Sequence, residues 1–546
     1  MTGRFQRLLW LACLAAAVFC LALVIDSSLS QTRGGDGPSY LILAKSIALG
    51  HGYSDINLPG SPPHTQYPPL FPLMLALIYF AFGYNFLLMK LLLAAFAIAA
   101  LVCVREFFSA ERDRLYGTLI ALLTGTNFYF LYYTNEIRAE IPFTFISFLI
   151  LLYAKKRPLA KANALHLTLV FPLLLALAYM TRMIGVVLFG AAFLYLLLEV
   201  RRTEGLSKGF KRAALFAVAA SIPFVLWTLR GSLYSRAVGT YNSIFGQADY
   251  YSLDSGAAGF GSILERFVAN TGYYYESLCS VVVPFITLRE AMPASILFIV
   301  FLVALAGFVK ELVSGKELKD FYLLFYAGLL TLWPVYGAGD ARRYLVPMIP
   351  LIYHYLLSGL ALIRDLLRPA ASILSLEKGR ARGLIIAPLI FFVFNSAEIA
   401  DRVSSQGGWS FDGVKKISEG RLFLDVRDPS TEDIGVERFE ETFPCYYTYL
   451  HAAFRMKETL SDRDVVMTRK PEEVYLITGR PTIRFPYTSK ASLMEGYMRE
   501  NRVNYILLDS CYEETDRYMR SYVLSKPGSF RVLLTDNRGT ALLRVQ

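Results

Sequence analysis

The sequence predicts a mainly α-helical, polytopic transmembrane bundle with interfacial helices beside it and a small soluble α/β domain at its C-terminal end. Three observations carry this. Of 546 residues, 55% are hydrophobic and only 18% charged, with a mean hydropathy of +0.42, which is too apolar for soluble domains alone. Apolar runs of spanning length recur through the first 400 residues or so. After about residue 402 the pattern changes to short alternating segments.

A spanning helix needs ~20 apolar residues. Candidates lie near 8–26, 88–107, 115–133, 141–154, 165–180, 184–199, 213–229, 292–309, 321–337, 344–363 and 384–400, about eleven spans. The first follows Arg4 and Arg7 with no convincing cleavage pattern behind it, so it is expected to be a retained anchor with a cytoplasmic N-terminus. One more run, "PPLFPLMLALIYFAFG" at 68–83, opens with two prolines and is short for a crossing.

Charge decides how that run is counted. If 68–83 does not cross, the basic loops around Arg105/Arg112/Arg114, Lys155/Lys156/Arg157/Lys161, Arg201/Arg202/Lys208/Lys211/Arg212, Lys310/Lys316/Lys319 and Arg364/Arg368/Lys378/Arg380/Arg382 all share the side of the N-terminus. If it crosses, they all fall outside, against the positive-inside rule. The run is therefore expected to lie at the outer interface. Residues 27–87, 134–140, 181–183, 230–291 and 338–343 then become outer segments, and the tail 403–546 joins them. The formal charge of +11 is accounted for by these loops, and no nucleic acid is called for.

In the tail, "DVVMTR" and "VNYILLDS" read as strands, "PEEVYLIT" and "SLMEGYMREN" as helices, and "FRVLLTDN" with "GTALLRV" as a closing hairpin. No GxGxxG or P-loop accompanies them, so no nucleotide chemistry is assigned. Cys13, Cys20, Cys103 and Cys279 lie in or near apolar runs without metal-ligand spacing. Cys445 and Cys511 can form a disulfide if the tail is outside the cytosol.

Chemistry is sought among the polar residues of the outer segments. Asp36 precedes Gly37-Pro38 and the helical run "PSYLILAKSIALG"; its bland reading is an N-terminal cap contributing ~0.5–2 kcal/mol. In "TNEIRAE", Glu136, Arg138 and Glu140 can be a solvated turn, yet Glu140 abuts the apolar run "IPFTFISFLILLYA", where a lone charge is costly. Arg182 in "YMTRMIGVV" has almost no loop around it, so it either snorkels or holds an anion such as a phosphate with its planar fork of donors. Arg342, Arg343 and Tyr344 in "GDARRYLVPMIP" open another span from the outside, against the positive-inside trend. Acids that can take a proton and arginines that can hold a phosphate suit group transfer from a lipid-linked phosphate. There is no HExxH, no DxD-like cluster and no Ser-His-Asp arrangement, and His51 and His64 are isolated.

Taken in order, Asp36 with Tyr40, "LAKSIALGHGY", "YPPLFPLMLALIYFAFG", "IRAEIPF", "MTRMIG" and "RRYLVPMIP" resemble the membrane-embedded glycosyltransferases of the GT-C fold. The resemblance is to the superfamily of protein O-mannosyltransferases and of the aminoarabinose transferase that modifies lipid A. It covers about residues 8–365, and the α/β tail is similar to that of bacterial members. It implies catalytic roles for Asp36 and Glu140, with Asp36 as general base in an inverting transfer. It implies a donor-phosphate site at Arg138, Arg182, Arg342, Arg343 and Tyr344. Further substrate contacts are expected at Tyr40, His64, Tyr67, Tyr250 and Tyr251, although an interfacial aromatic belt explains the tyrosines of 230–291 equally well.

The implied donor is a sugar on polyprenyl phosphate. The acceptor is a lipid, a glycan or a protein, on the outer face of a bacterial cell membrane. Gly37 stands where many relatives carry a second acid, so the cofactor is left unassigned, with a divalent cation as the candidate. The rival classes are a transporter or flippase of lipid-linked sugars, and a polymerase or ligase of another membrane fold. A transporter predicts charges at mid-span and repeat symmetry between halves, neither of which the sequence displays.

Overall fold

The computed structural model describes residues 3–25, 36–234, 246–249, 251–284, 292–333, 338–373, 388–397, 399, 444–457, 459–536 and 538–546. They form two compact units. One comprises residues 1–25, 90–229 and 264–410; the other comprises 26–89, 230–263 and 411–546.

The first unit is helical. Among the described residues, six helices are long and apolar enough to cross a membrane: Arg4–Val24, Phe86–Glu111, Met183–Glu204, Leu206–Tyr234, Ala294–Ser314 and Ala341–Leu366. The chain is an integral membrane protein, and its outward surface fits lipid: Leu206–Tyr234 leaves Leu215, Val218, Ile222, Val225, Leu229 and Leu233 exposed. The rest of the expected eleven spans are shorter pieces, among them Glu140–Lys156, Phe171–Thr181 and Leu318–Leu332.

The expected span 115–133 is two helices, Arg114–Gly125 and Phe128–Thr134. The break is at Asn127, whose side-chain oxygen accepts from the amides of Tyr129 and Phe130 and so starts a new helix. Its amide nitrogen donates to the Val281 carbonyl and the Tyr353 hydroxyl, which satisfies it within the bundle. A second difference lies in the segment 230–291, read as an outer loop: it contains the 23-residue helix Phe260–Val282, whose scattered Arg266, Asn270, Ser277 and Ser280 break the apolar run that would signal a helix, yet are buried.

Two features lock the bundle. At Gly307 and Gly359 a side chain would overlap the carbonyls of Tyr355 and Val303, so the helices Ala294–Ser314 and Ile349–Ile373 meet backbone to backbone, as small residues permit. Lys319, 1% exposed, lies 3.1 Å from Glu317, 3.4 Å from Glu111 and 3.7 Å from Asp320. Lys155 also reaches Glu111 and Glu317, tying three helices through charges that the sequence displays only as loop residues.

The second unit is built on a five-stranded sheet. Its strands are β1 (Val465–Thr468), β2 (Thr482–Arg484), β3 (Val503–Leu508), β4 (Phe530–Thr535) and β5 (Ala541–Val545), in the order β2-β1-β3-β5-β4. β1 runs parallel to β2 and β3, while β5 is antiparallel to β3 and β4. Helices Pro444–Met456, Pro471–Thr478 and Ala491–Glu500 accompany it, and Cys445 is bonded to Cys511. The expected boundary between 402 and 403 lies outside the described residues.

The tail does not make this unit alone. The amide of Thr482 at the sheet edge donates to the Asn57 carbonyl at 2.7 Å, Lys45 lies over the Tyr475 ring, and Asp254 accepts from Thr488 and Ser489. Helix Leu70–Phe82 buries Phe71, Pro72, Leu75 and Ala76 and leaves Leu73, Leu77, Phe80 and Phe82 exposed. At 13 residues it is short for a crossing.

Candidate active site

The arginines named from sequence converge within the helical unit. Glu140 opens the helix Glu140–Lys156, where the helix dipole favours an acid, and it is 2% exposed. Arg182 Nη1 lies 3.1 Å from its Oε1 and Arg343 Nε 3.7 Å from the same atom. Arg138 Nε lies 3.4 Å from Glu136 Oε2 and within electrostatic reach of Arg343 and Glu140.

Each arginine is presented by a local device. Arg182 ends the helix Phe171–Thr181 in an extended conformation, φ −148° and ψ 134°. The 3₁₀ turn Met183–Gly185 follows, and a side chain at Gly185 would strike the backbone of Ala178 and Tyr179. That tight turn explains how a near-loopless junction can hold the guanidinium in place. Arg342 and Arg343 occupy the last turn of the helix Ala338–Leu345, the end where cations are favoured.

Aromatic rings frame the cluster. Tyr344 lies under the guanidinium groups of both Arg182 and Arg343, and its hydroxyl accepts from Arg343 Nη2 at 3.0 Å. Tyr326, missed from sequence, donates its hydroxyl to the Tyr344 carbonyl at 2.7 Å; nothing local distinguishes it from any other spanning tyrosine. Arg342 sits over the Tyr129 ring, its Nε without a hydrogen-bond partner, and no carboxylate pairs with it among the described residues. Among the described residues, four guanidinium groups thus gather near two carboxylates, Glu136 and Glu140. An arginine-rich cluster of this kind suits an anionic group in a partly buried site. Lys90, fully buried in the helix Phe86–Glu111, also escaped the sequence reading; its signal was a lone lysine inside an apolar run.

Asp36 belongs to the second unit, and the capping expectation is corrected there. It precedes the helix Gly37–Ala48 with φ −74° and ψ −15°, already helical, and its side chain makes no capping bond. A capping residue normally adopts extended angles that bring its oxygen over the first amides. Instead, Asp36 Oδ1 accepts from the Tyr67 hydroxyl at 2.9 Å.

Tyr67 is itself tightly held. Its amide donates to His64 Nε2 at 2.7 Å, and its carbonyl accepts from the Tyr53 hydroxyl at 2.8 Å. Its ring packs on Tyr40 and stacks on His64. Since His64 Nε2 accepts, its Nδ1 carries the proton that is donated to Asp55 Oδ1 at 2.7 Å. Tyr40 and His64 are buried at 4% exposure each. Both ring nitrogens of His64 are engaged inside the loop. Tyr251 likewise packs into the α/β core, its carbonyl accepting from Tyr518 and its ring lying by Tyr487. Tyr250 lies outside the described residues.

Among the described residues, no group of three or more His, Cys, Asp or Glu side chains is disposed to hold a metal ion. The candidate divalent cation therefore finds no fitting donor set there, and no chemistry is routed through one.

No family model matches the chain, and no curated protein matches it. The likeness is to solved structures. ArnT from Cupriavidus metallidurans bound to undecaprenyl phosphate aligns over 100% of this chain and 98% of its own, with a TM-score of 0.52 and 12% identity. The same protein in the apo state aligns over the same shares with a TM-score of 0.50 and 11% identity. The oligosaccharyltransferase of Archaeoglobus fulgidus, tethered with an acceptor peptide containing the NVT sequon, covers 99% of this chain and 74% of its own, with a TM-score of 0.50 and 12% identity. The chain has the GT-C fold; at these identities the likeness is one of fold.

Proposed function

We propose that the protein is an integral-membrane glycosyltransferase that moves a sugar from a polyprenyl-phosphate donor to a lipid, polysaccharide or protein acceptor, with inversion. Its N-terminus is cytoplasmic, and transfer takes place on the extracytoplasmic face of a bacterial cell membrane, where the C-terminal domain also lies. The observation that carries the reading is the convergence of Arg182, Arg343 and Arg342, with Glu140 engaged by two of them. A solved structure of the same fold is bound to undecaprenyl phosphate, which supports a lipid phosphate as the anion.

In the proposed reaction the acceptor hydroxyl oxygen attacks the anomeric carbon. The bond from that carbon to the phosphate oxygen breaks, and its electron pair leaves with the polyprenyl phosphate. The hydroxyl proton passes to Asp36, and the arginines stabilise the charge gathering on the departing phosphate. Glu140 is assigned to holding Arg182 and Arg343, because its Oε1 lies 3.1 and 3.7 Å from their nitrogens.

The test supplies membranes containing the protein with a panel of radiolabelled polyprenyl-phosphate sugars. One donor should give transfer, and Asp36→Asn should lower the rate by ~10²- to 10⁴-fold. A folded, inserted Asp36→Asn variant that transfers as well as the wild type sinks the role of Asp36. Passage of intact donor across sealed vesicles without sugar transfer would instead identify a flippase.

A further inference from the structure

Tyr67 and His64 were expected to touch substrate, but their bonds point inward. Tyr67 places its hydroxyl on Asp36 Oδ1 at 2.9 Å while its own backbone is fixed from both sides, by His64 Nε2 at the amide and the Tyr53 hydroxyl at the carbonyl. His64 can accept that amide only in the tautomer that Asp55 imposes at Nδ1. The His64 carbonyl is held in turn by the Arg230 guanidinium, which also lies over the Tyr53 ring. Four side chains from two segments of one unit, His64, Tyr53, Asp55 and Arg230, are thus spent on the position of one phenol.

We infer that Tyr67 is a positioning residue for Asp36, and that Asp55 and His64 act on Asp36 only through it. This rests on the reading of Asp36 as the proton acceptor. Two consequences follow from the geometry. The carboxylate is kept off the amides of Gly37–Ala48, where capping would occupy it. A hydrogen bond donated to a carboxylate also favours its charged form over the protonated one. The arrangement resembles an oriented base in logic: a carboxylate aligned by a donor whose own alignment is fixed by a further pair.

The experiment reads Asp36 directly and needs no substrate. The full-length protein in detergent is treated with a water-soluble carbodiimide and an amine nucleophile across a pH series, and modification of Asp36 is followed by peptide mass spectrometry. Carbodiimides attack the protonated carboxyl, so the pH midpoint of labelling reports its protonation. Tyr67→Phe, which keeps the ring packing against Tyr40 and His64, should raise the midpoint by about 1 pH unit. His64→Ala should raise it in the same direction, while His64→Gln, whose amide oxygen can still accept from the Tyr67 amide, should leave it at the wild-type value. An unchanged midpoint in Tyr67→Phe or in His64→Ala overturns the inference.

Transfer kinetics supply the second readout. With a donor in hand, Tyr67→Phe should lower kcat about 10-fold with the acceptor KM unchanged, and the acid limb of the pH profile should move up with the labelling midpoint. A raised KM at unchanged kcat would make Tyr67 a substrate contact and overturn the inference. Should every donor fail to react, the proposed reaction falls, and the labelling midpoints still decide whether Tyr67 governs Asp36.

Discussion

Arg182 and Arg343 share a single oxygen, Oε1 of Glu140, at 3.1 and 3.7 Å. The two arginines come from junctions far apart in the chain, and each is under 10% exposed. Such a buried carboxylate orders two cations at once, and its removal takes a close anionic partner from both.

Glu140→Ala should therefore destabilise the helical unit by about 3 kcal/mol and weaken the donor along with it. Thermal unfolding in detergent, compared for Glu140→Ala and Glu140→Gln, measures the first effect, with glutamine the milder of the two because it keeps an acceptor. Equal melting of both variants and the wild type would contradict the pairing.

Arg342 should behave differently. It lies over Tyr129 with no carboxylate partner among the described residues, so Arg342→Ala strands no buried acid. The expected outcome is a 10- to 100-fold loss in kcat/KM for the donor, about 1.5–3 kcal/mol of charged hydrogen bonding, with the melting temperature within a degree or two of wild type.

In the α/β unit, burial pushes the Glu473 carboxyl from 4.5 up to about 7, against the opposing pull of Lys470 and the Tyr446 hydrogen bond. Between those values the folded protein holds a proton that the unfolded chain has released, so stability falls as pH rises through the window. Glu473→Gln removes the titration. Its stability relative to wild type should climb by about 3 kcal/mol between pH 4.5 and 8, read by unfolding of the full-length protein, and a flat difference across that range would refute the assignment.

The bond between Cys445 and Cys511 spans 66 residues of chain, a loop whose closure corresponds to ~4 kcal/mol in the chain-entropy description. Reductant, or Cys511→Ser, should make the 444–546 region markedly more sensitive to limited proteolysis. Protein isolated under thiol block should carry the bond already formed, and a reporter fused at Gln546 should read extracytoplasmic. A cytoplasmic reporter would overturn the proposed topology.

Much of this protein is legible along the chain because the governing physics is local. A spanning helix announces itself by the length of its apolar run, and "PEEVYLIT" coincides with the helix Pro471–Thr478. The strands Val465–Thr468 and Val503–Leu508 and the hairpin of Phe530–Thr535 with Ala541–Val545 also follow their β-rich patterns. Arg182, Arg342, Arg343 and Glu140 stood out because charge beside hydrocarbon is costly unless it is paired or used. The helix Phe260–Val282 and the break at Asn127 did not stand out, since the buried Asn270 and Asn127 there bond to partners distant in sequence.

By itself, then, the sequence determined a membrane bundle with a soluble α/β tail and the identity of the charges its polar face would use. Only the tertiary structure decided how those charges are employed. It set Glu140 between two arginines, laid Arg342 over Tyr129, turned His64 inward, and drew the Asp36 segment into one compact unit with the tail. The reason is physical: a carboxylate's role depends on which donor reaches it, and Tyr67 lies 31 residues from Asp36, beyond the reach of any helical or strand periodicity.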